Sequence, residues 1–469
     1  MSRTSRRVSS LAFAFLICVA VCGCATAPQP LSVPPSAVLG VQEEHLSAEH
    51  WVKRAPHASQ VVLNGAAITA QNARLHSVDP SVNDLGKLPA QLSAADVRER
   101  ITKLSVRPTD VLYDERGQEI PTVRLDEIQA NVALDAIAAT QPTRFGMVVQ
   151  RASLRTFPTN LRVFRSNDDA DIDRFQESAL FPGTPVAILH TSKDGGWYFI
   201  VSPLYSAWIE KQYVAEGSAQ EIFDYGRKAP YVVITGAKAR TVFTRERPEL
   251  SELQLEMGLR VPLVADWPPD RAVNGQHPYT AYVVELPWRD RNGALHFGPA
   301  LLPKTADVAS DYLALTRANV LKQGFKFLGE RYGWGHSYNA RDCSGFVSEV
   351  YRSFGVQLPR NTRDQGTSPA LERITFGSGD TNEARTAVLN TLDIGDLVYI
   401  PGHVMMVIGH ENGVPYVIHD TTGISYRDGD GEVRRVDLNG VSVTPLTPLL
   451  GGDRPIVERI YSIVQMRKR

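Results

Sequence analysis

A helix that begins at a cysteine restricts the fold of this chain more than any other feature of its sequence. Asp342 is a favourable N-cap residue and Gly355 a favourable C′ residue, so the predicted helix starts at Cys343. The positive end of such a helix favours a thiolate at Cys343 over the thiol. A cysteine that only filled a core would more often lie inside the apolar stripe. That stripe follows with helical spacing at Phe346, Val347, Val350, Tyr351 and Phe354.

Two later histidines are candidates for the base that a cysteine nucleophile needs. His403 and His419 lie in predicted strands 403–408 and 414–419, which are joined by a turn-rich segment at 409–413. If those five residues form the loop, His403 lies directly opposite His419 and on the same face of the hairpin.

The other two histidines near this region, His336 and His410, are expected to be structural or solvated. The chain has 11 histidines, so any single one is more often structural or solvated than catalytic. His410, in the predicted loop, and His336 are placed in that class. No His-x-x-x-His or Cys-x-x-Cys spacing occurs around Cys343, His403 and His419, so the sequence predicts no metal there.

The first 24 residues have the pattern of an export signal. A basic stretch precedes the apolar segment 11–21, which is too short to span a membrane. Gly23 before Cys24 resembles a bacterial lipobox, and a plain signal peptidase site is the alternative. Resemblance to Gram-negative lipoproteins implies acylation of Cys24. Ala25, in place of Asp, implies an anchor in the outer membrane facing the periplasm.

The cysteine count then favours a reactive thiol over a disulfide. Cys18 and Cys22 leave with the signal segment and Cys24 carries lipid, so Cys343 is the one free thiol in an oxidising compartment. The formal net charge of −1 provides no basic field, so nucleic acid is not a predicted partner, and the membrane is contacted through the lipid anchor only.

A chain of 469 residues is long enough for several domains. A capping box at Ser93 and Asp96, and apolar spacing over 125–139, indicate helices in the N-terminal part. Short β-like runs follow, with turns at 194–196 and 291–293. The predicted segments are a signal peptide (1–24), a Pro-rich tether (25–40), a mostly helical region (41–143), a first barrel resembling a bacterial SH3 domain (144–217), a second, more irregular SH3-like barrel (229–303) and an α+β domain (304–469).

Several motifs occur together in the last domain. They are Tyr332-x-Trp334-Gly335, Asp342-Cys343-Ser344-Gly345-Phe346, Leu358-Pro359-Arg360, Gly395-Asp396-Leu397 and the two later histidines. In this combination they resemble the NlpC/p60 family of cell-wall peptidases, in its multidomain branch. The resemblance implies a papain-like α+β fold without a cofactor. It also implies hydrolysis of the γ-D-glutamyl–diamino acid bond in peptidoglycan stem peptides.

The same resemblance assigns roles in the reaction. Cys343 is expected to be the nucleophile, His403 the general base and His419 the group that orients it. Tyr332 corresponds to the family tyrosine beside the oxyanion site, where the Cys343 backbone amide assists.

Further residues are expected to bind substrate. Asp342 and Ser344 correspond to residues that bind the D-Glu and the N-terminal side, although capping alone is the alternative for Asp342. Asn361 stands where relatives often have an acid near the substrate amine. His336 replaces a glycine that many members have.

The first barrel is expected to form one wall of the site. Tyr205 precedes Ser206-Ala-Trp208-Ile209, which resembles a Tyr-x-Gly-Trp-Val run that contacts substrate in multidomain relatives. In those relatives the wall admits only peptides with a free N-terminal L-alanine. Glu177 is a candidate partner for that amine, and a solvated surface glutamate is the alternative. The alternative for Tyr205 is packing on Trp208.

Two other functions remain open on the sequence alone. The chain could be an inactive wall-binding lipoprotein, or an amidase or acyltransferase on the same scaffold. The sequence predicts neither the oligomeric state nor the diamino acid required.

Overall fold

The computed structural model describes residues 36–167 and 170–467. The predicted signal segment with Cys24, and most of the tether, lie outside these residues. Across the described part of the chain, no helix has the length and apolarity that crossing a bilayer requires.

The N-terminal region is largely helical, as predicted. Ser93 caps α3, because its side chain accepts a hydrogen bond from the Asp96 N–H at 3.1 Å and donates one to the Asp96 carboxylate at 2.7 Å. The helix predicted over 125–139 is shorter than expected and ends at Asn131, because Ala133 adopts left-handed backbone with φ of 54°. The elements are α1 (Ala48–Arg54), β1 (Val61–Leu63), α2 (Gly65–Val78), β2 (Gln91–Ser93), α3 (Ala94–Leu104), α4 (Thr122–Asn131) and β3 (Thr140–Pro142).

This region packs in two directions rather than around a core of its own. Trp51 of α1 and Ile68 of α2 belong to the same core as the C-terminal domain. Val97 of α3 and Ile128 of α4 instead share a core with Trp208 of the first barrel. The N-terminal helices therefore join the barrel and the C-terminal domain to each other.

The first barrel is one antiparallel sheet of seven strands. Its strand order is β10-β4-β7-β8-β9-β5-β6, and the turn at 194–196 connects β7 to β8 as predicted. The strands are β4 (Arg144–Val148), β5 (Ala152–Arg155), β6 (Gln176–Leu180), β7 (Pro185–Thr191), β8 (Trp197–Val201), β9 (Ser206–Glu210) and β10 (Val214–Gly217), followed by α5 (Ala219–Tyr225).

The second β-rich block is more irregular, and its strands form three small sheets. A long hairpin turns at 291–293, as predicted, and packs over the shorter strands. The strands are β11 (Tyr231–Ile234), β12 (Lys238–Arg240), β13 (Gln254–Glu256), β14 (Arg260–Pro262), β15 (Ala281–Arg289), β16 (Leu295–Pro303) and β17 (Val308–Ala309).

The C-terminal domain has helices against a six-stranded antiparallel sheet of order β19-β28-β20-β21-β22-β25. A smaller sheet of order β24-β23-β26-β27 lies beyond β22 in the chain. The elements are β18 (Leu315–Thr316), α6 (Arg317–Phe325), α7 (Cys343–Arg352), α8 (Thr362–Thr367), β19 (Arg373–Thr375), α9 (Asn382–Leu389), β20 (Leu397–Ile400), β21 (His403–Glu411), β22 (Val414–Thr421), β23 (Ile424–Arg427), β24 (Val433–Val436), β25 (Gly440–Pro445), β26 (Leu449–Gly451), β27 (Arg454–Pro455), α10 (Ile456–Arg459) and β28 (Ser462–Val464). The α+β fold predicted for this domain is confirmed.

The helix predicted at the cysteine is α7, and it starts at Cys343. Its apolar stripe is buried in the domain core, which fixes the helix against the sheet. The predicted end is slightly wrong: α7 ends at Arg352 with Ser353 as its C-cap. Gly355, with φ of 79°, follows two residues after that cap rather than at C′.

Candidate active site

The Asp342 side chain starts α7 and places Cys343 in its first turn. One Asp342 oxygen accepts a hydrogen bond from the Gly345 N–H at 2.8 Å, which caps the helix. The Cys343 side chain is 5% exposed, and its Sγ lies 4.0 Å from the Gly402 carbonyl oxygen. The Val404 N–H also points at the thiol. The thiol therefore packs against the backbone on both sides of His403.

His403 and His419 form a hydrogen-bonded pair. The distance from His403 Nε2 to His419 Nδ1 is 2.8 Å, and His419 Nε2 lies 3.0 Å from the Thr444 hydroxyl. Burial lowers the pKa of His403 to about 4, and burial with the nearby His403 lowers the pKa of His419. Both rings are therefore neutral near pH 7, and Nδ1 of His403 remains for the cysteine.

The hairpin that carries the two histidines has a different register from the predicted one. β21 extends to Glu411, and the turn is the two-residue Asn412-Gly413, with φ of 52° and 77°. Positive φ at both positions is the geometry that an Asn-Gly hairpin turn requires. Glu411 faces Val414 beside this turn, a bulge between Val407 and Gly409 changes the register by one residue, and Met406 then faces Ile418. Continuing that ladder would place His403 opposite position 421 rather than His419.

The histidines still share a face because the tight turn shifts the pairing by three residues and the bulge between Val407 and Gly409 removes one, which leaves an even shift of two. Side chains alternate across a strand with period 2, so a shift of two residues preserves the face and a shift of one would not. The His403–His419 contact is therefore diagonal across the two strands.

The expected thiolate at Cys343 is wrong for the free protein. Burial, followed by the neighbouring Asp342 carboxylate, raises the pKa of the Cys343 thiol above its ordinary value. The residue that caps α7 thus also places a negative charge beside the sulfur. The free site holds a neutral thiol and a neutral imidazole.

Arg360 organises the polar groups beneath the cysteine. Its guanidinium donates to both Asp342 oxygens at 2.8 and 3.2 Å, to the Ser344 hydroxyl at 2.8 Å and to His336 Nδ1 at 2.9 Å. Burial acts to raise the pKa of Asp342, but the Arg360 charge outweighs burial and the pKa falls below its ordinary value. Asp342 and Ser344 are therefore largely occupied by Arg360.

Tyr332 lies close enough to Cys343 and Asp342 to interact with both electrostatically. Its N–H donates to the Asn439 carbonyl at 3.0 Å, which anchors the segment before the cysteine. Burial, followed by Cys343 and Asp342, raises the pKa of the Tyr332 hydroxyl, so this group stays protonated and able to donate.

Comparisons with known proteins agree with this geometry. Residues 329–438 match the NlpC/P60 family model, and residues 162–210 match the model of SH3 domains of the SH3b1 type. The C-terminal part of the chain is an NlpC/P60 domain. It has the fold of the NlpC/P60 hydrolases, and the region before it includes an SH3b domain.

Solved structures are similar across most of the chain. An NlpC/P60 endopeptidase from Photobacterium damselae subsp. piscicida covers 92% of this chain and 98% of its own, at 17% identity and a TM-score of 0.71. An NlpC/P60 family protein from Bacillus cereus ATCC 10987 covers 69% of this chain and 100% of its own, at 18% identity and a TM-score of 0.46. Comparison with curated proteins finds no match. The first of these likenesses establishes the fold.

The SH3b domain contacts the NlpC/P60 domain through β6. Arg360 Nε donates to the Ser178 hydroxyl at 2.6 Å, and the Gln176 side chain donates to the Gly335 carbonyl at 2.7 Å. The Trp334 indole N–H donates to the Gln176 carbonyl at 3.1 Å. These contacts fix the barrel against the segment that precedes Cys343.

Tyr205 and Glu177 meet on the barrel surface that faces the NlpC/P60 domain. The Tyr205 hydroxyl donates to the Glu177 carboxylate, which also accepts from Thr156 at 2.5 Å. Tyr205 lines one groove with Asn361 and Asp364. Asn361 is exposed and donates to the Asp364 carboxylate at 2.9 Å.

Trp208 is not the partner of Tyr205. The Trp208 ring is fully buried in the core shared with the N-terminal helices, and its N–H donates to Ser105 at 3.0 Å. Tyr205 instead packs at the edge of a separate cluster of the barrel. The alternative interpretation of Tyr205 as a residue packed on Trp208 is therefore wrong.

Two other histidines have structural positions. His336 is buried, accepts from Arg360, and has φ of 66°, the left-handed backbone that the glycine of many relatives would adopt freely. His410 lies in β21 rather than in a loop, and its ring contacts the Leu389 carbonyl at 3.2 Å.

One group in the described part of the chain has spacing suited to a metal ion: His45, His50 and Glu411. Both histidine Nε2 atoms lie 3.1 Å from Glu411. Nδ1 of His45 accepts from the Gln42 N–H, and Nδ1 of His50 accepts from Arg54, each at 3.0 Å. With Nδ1 accepting, each neutral ring carries its proton on Nε2 and donates it to Glu411. The group therefore links α1, and the turn that precedes it, to β21 through hydrogen bonds.

Sequence reasoning named the cysteine and the histidines but missed two site residues. Arg360 belongs to the Leu358-Pro359-Arg360 motif, and its role as the counter-charge of Asp342 depends on the folded contact between the two segments. Asp364 gave no sequence signal, because its position beside Tyr205 depends on how α8 meets the barrel.

Proposed function

We propose that the chain is a cysteine endopeptidase that hydrolyses the γ-D-glutamyl–diamino acid bond of peptidoglycan stem peptides. The observation that carries the proposal is the arrangement of Cys343 at the start of α7, against the backbone flanking His403, with His403 bonded to His419. A nucleophile, a base and a group that orients the base are the parts that acyl transfer to a thiol requires.

The reaction starts from a neutral pair. His403 removes the Cys343 proton as the sulfur attacks the γ-carbonyl carbon, because the free thiol has a raised pKa. We expect the Tyr332 hydroxyl and the Cys343 N–H to donate to the developing oxyanion. The protonated His403 then gives its proton to the leaving amine, and a thioester remains on Cys343.

Water completes the cycle. His403 accepts a proton from a water molecule, the hydroxide attacks the thioester, and the thiol leaves with the proton returned from His403. His419 holds the ring of His403 in one orientation through both steps, with the Thr444 hydroxyl behind it.

We infer a preference for peptides with a free N-terminal L-alanine. The Glu177 carboxylate, which accepts from the Tyr205 hydroxyl, and the Asp364 carboxylate, which lines a groove with Tyr205, are the acidic groups suited to an ammonium group. A wall at this place rejects a longer chain by steric clash. A muramyl group on the peptide is then expected to lower kcat/KM strongly.

The specificity test compares a free stem tripeptide with the same peptide carrying its muramyl group. Tyr205→Ala should raise KM for the free peptide, and the exposed Tyr279→Ala serves as a matched aromatic control. Equal cleavage of both substrates, or unchanged kinetics in Tyr205→Ala, would show that the barrel does not gate the site.

The nucleophile has a separate test. Cys343→Ala is expected to lower kcat/KM by about 10⁴-fold or more, since removal of a nucleophile leaves only the residual effects of the site. The thermal midpoint should change little, because one sulfur is removed from the start of a well-packed helix. Turnover near the native rate would contradict the assignment.

We also propose export and acylation of Cys24, with the protein held at the outer membrane on its periplasmic side. This proposal is supported by the basic, apolar and Gly23-Cys24 pattern of the sequence. In the periplasm the NlpC/P60 domain would have access to peptidoglycan-derived peptides.

A further inference from the structure

The guanidinium of Arg360 has five N–H groups, and each of them has an acceptor. Two donate to the Asp342 carboxylate and one to the Ser344 hydroxyl, which belong to the residues on either side of the nucleophile. The other two donate to acceptors outside α7 and its N-cap. Nε donates to the Ser178 hydroxyl of the barrel at 2.6 Å, and Nη2 donates to His336 Nδ1 at 2.9 Å. These outside acceptors fix how the guanidinium is turned toward the nucleophile segment.

The His336 ring lies between a cation and an anion. Its Nδ1 accepts from Arg360, and its Nε2 lies 3.5 Å from Glu349 Oε1. The cation requires an acceptor and the carboxylate requires a donor. A neutral imidazole with its proton on Nε2 offers both, on opposite edges of one ring. Burial, followed by the Arg360 charge, lowers the pKa of His336 to about 4, so the ring has this neutral form near pH 7.

The same ring packs against the first turn of α7. A Cβ added to Gly345 would lie 2.6 Å from His336 Cε1, so this contact requires a glycine at position 345. The His336 backbone is also held, because its N–H donates to the Gly333 carbonyl and its carbonyl accepts from Arg151 Nη2, each at 2.9 Å. His336 is therefore fixed by its backbone and by its ring, and it is rigid enough to orient Arg360.

We propose that His336 is a positioning residue for the nucleophile, because it holds Arg360 in the orientation that binds both neighbours of Cys343. His336 does not touch the reacting atoms and acts only through the arginine. A glycine at position 336 would offer no side-chain acceptor and would leave one N–H of the buried guanidinium unpaired. The inference deepens the proposed peptidase function and rests on it, but its main readout is the reactivity of the thiol, which requires no turnover.

The expected consequence is a change in the reactivity of the Cys343 thiol. Burial and the Asp342 and Asp420 carboxyls raise the pKa of this thiol, and the Arg360 charge lowers it. The neutral titratable groups around the thiol are Tyr332, Tyr399 and His403. Without the acceptor on His336, Arg360 is no longer fixed and its mean distance from the sulfur increases. The thiolate then loses stabilisation, and the thiol reacts only at higher pH.

The test is the pH profile of alkylation by iodoacetamide, followed by mass spectrometry. The protein lacking residues 1–24 keeps Cys343 as its one cysteine. His336→Gly removes the acceptor and adopts the left-handed backbone freely, whereas His336→Asn places an amide oxygen near the position of Nδ1 and also tolerates that backbone. The midpoint should rise by at least about 0.5 pH unit in His336→Gly, which makes alkylation about threefold slower below the midpoint. In His336→Asn it should move by less than about 0.2 pH unit.

His410→Asn is the matched control, because it removes a different half-buried histidine of the same domain and should leave the profile unchanged. An unchanged profile in His336→Gly, or an equal shift in His336→Gly and His336→Asn, overturns the proposal. If His336→Gly loses its folded circular dichroism spectrum, His336→Leu takes its place, since leucine fills the space and has no acceptor, and the same two outcomes apply.

Turnover separates this inference from the proposed function. For the free stem tripeptide, kcat/KM should fall at least about threefold in His336→Gly and recover in His336→Asn. A chain that cleaves no stem peptide but shows the shift in alkylation would contradict the proposed peptidase and support the role of His336. Cleavage with an unshifted profile in His336→Gly would do the opposite.

Discussion

Replacing Arg360 with methionine tests the polar network beneath the cysteine. Methionine keeps an apolar stem of similar length and removes every guanidinium donor. Asp342 is 7% exposed and would keep hydrogen bonds from Gly345, Gly335 and Ser344 but lose its counter-charge. Removing one partner of a buried ion pair costs about 3–5 kcal/mol, so Arg360→Met should lower the free energy of unfolding by that amount.

The loss should depend on pH in a definite direction. Because Arg360 lowers the pKa of Asp342 in the folded protein, the stabilisation is present above the unfolded carboxyl pKa of about 4 and is lost as pH falls below it. The difference between native and Arg360→Met protein should therefore be largest near pH 7 and shrink toward about pH 3. A double variant that adds Asp342→Asn should lose less than the two single losses combined.

Urea denaturation followed by tryptophan fluorescence measures these differences across pH. Arg363→Met, which removes an exposed arginine of α8, is the matched control and should change stability by less than about 0.5 kcal/mol. A loss below about 1 kcal/mol in Arg360→Met, or a loss that does not vary with pH, would refute the reasoning.

Three other predictions follow from the same chemistry. Asp420 is buried, neither of its carboxyl oxygens has a hydrogen bond, and burial followed by Asp342 raises its pKa. Asp420→Asn should therefore stabilise the protein by about 1–2 kcal/mol at pH 7 and by nothing near pH 3, and a destabilised variant at pH 7 would contradict this. The value of kcat/KM should fall with decreasing pH around pH 4, because His403 must be neutral to act as a base and its pKa is about 4. A fall centred near pH 6.5 would instead indicate a base exposed to solvent, with the ordinary histidine pKa. Cys24→Ala should leave a precursor that incorporates no labelled palmitate, and normal labelling would remove the lipoprotein proposal.

Local signals predicted the nucleophile helix well. An N-cap, an apolar stripe of helical period and a breaking glycine all act within a dozen residues, and they placed the start of α7 correctly at Cys343. The hairpin was predicted less well because the Asn412-Gly413 turn was assigned to a longer loop. His403 and His419 are still in contact, because a net shift of two residues keeps both side chains on the same face of the hairpin.

Long-range contacts could not be predicted from the sequence. The raised pKa of the Cys343 thiol depends on burial and on the charge of the Asp342 carboxylate. From the sequence, Asp342 is recognisable as a helix cap, but its effect on the thiol is not. The contact of Arg360 with Ser178 joins residues far apart in the chain, and no local pattern records it. The division of the N-terminal helices between two cores has the same origin, because Trp51 and Val97 pack against different distant partners.

Mass spectrometry of defined stem peptides tests the central claim most directly. The protein lacking residues 1–24 is incubated with L-alanyl-γ-D-glutamyl-diamino acid peptide, with and without a muramyl group, beside the Cys343→Ala variant. We expect L-alanyl-D-glutamate and the free diamino acid from the unsubstituted peptide, and no product from the variant. Release of an intact peptide from the muramyl substrate would indicate an amidase, and an absence of any product would contradict the proposed peptidase.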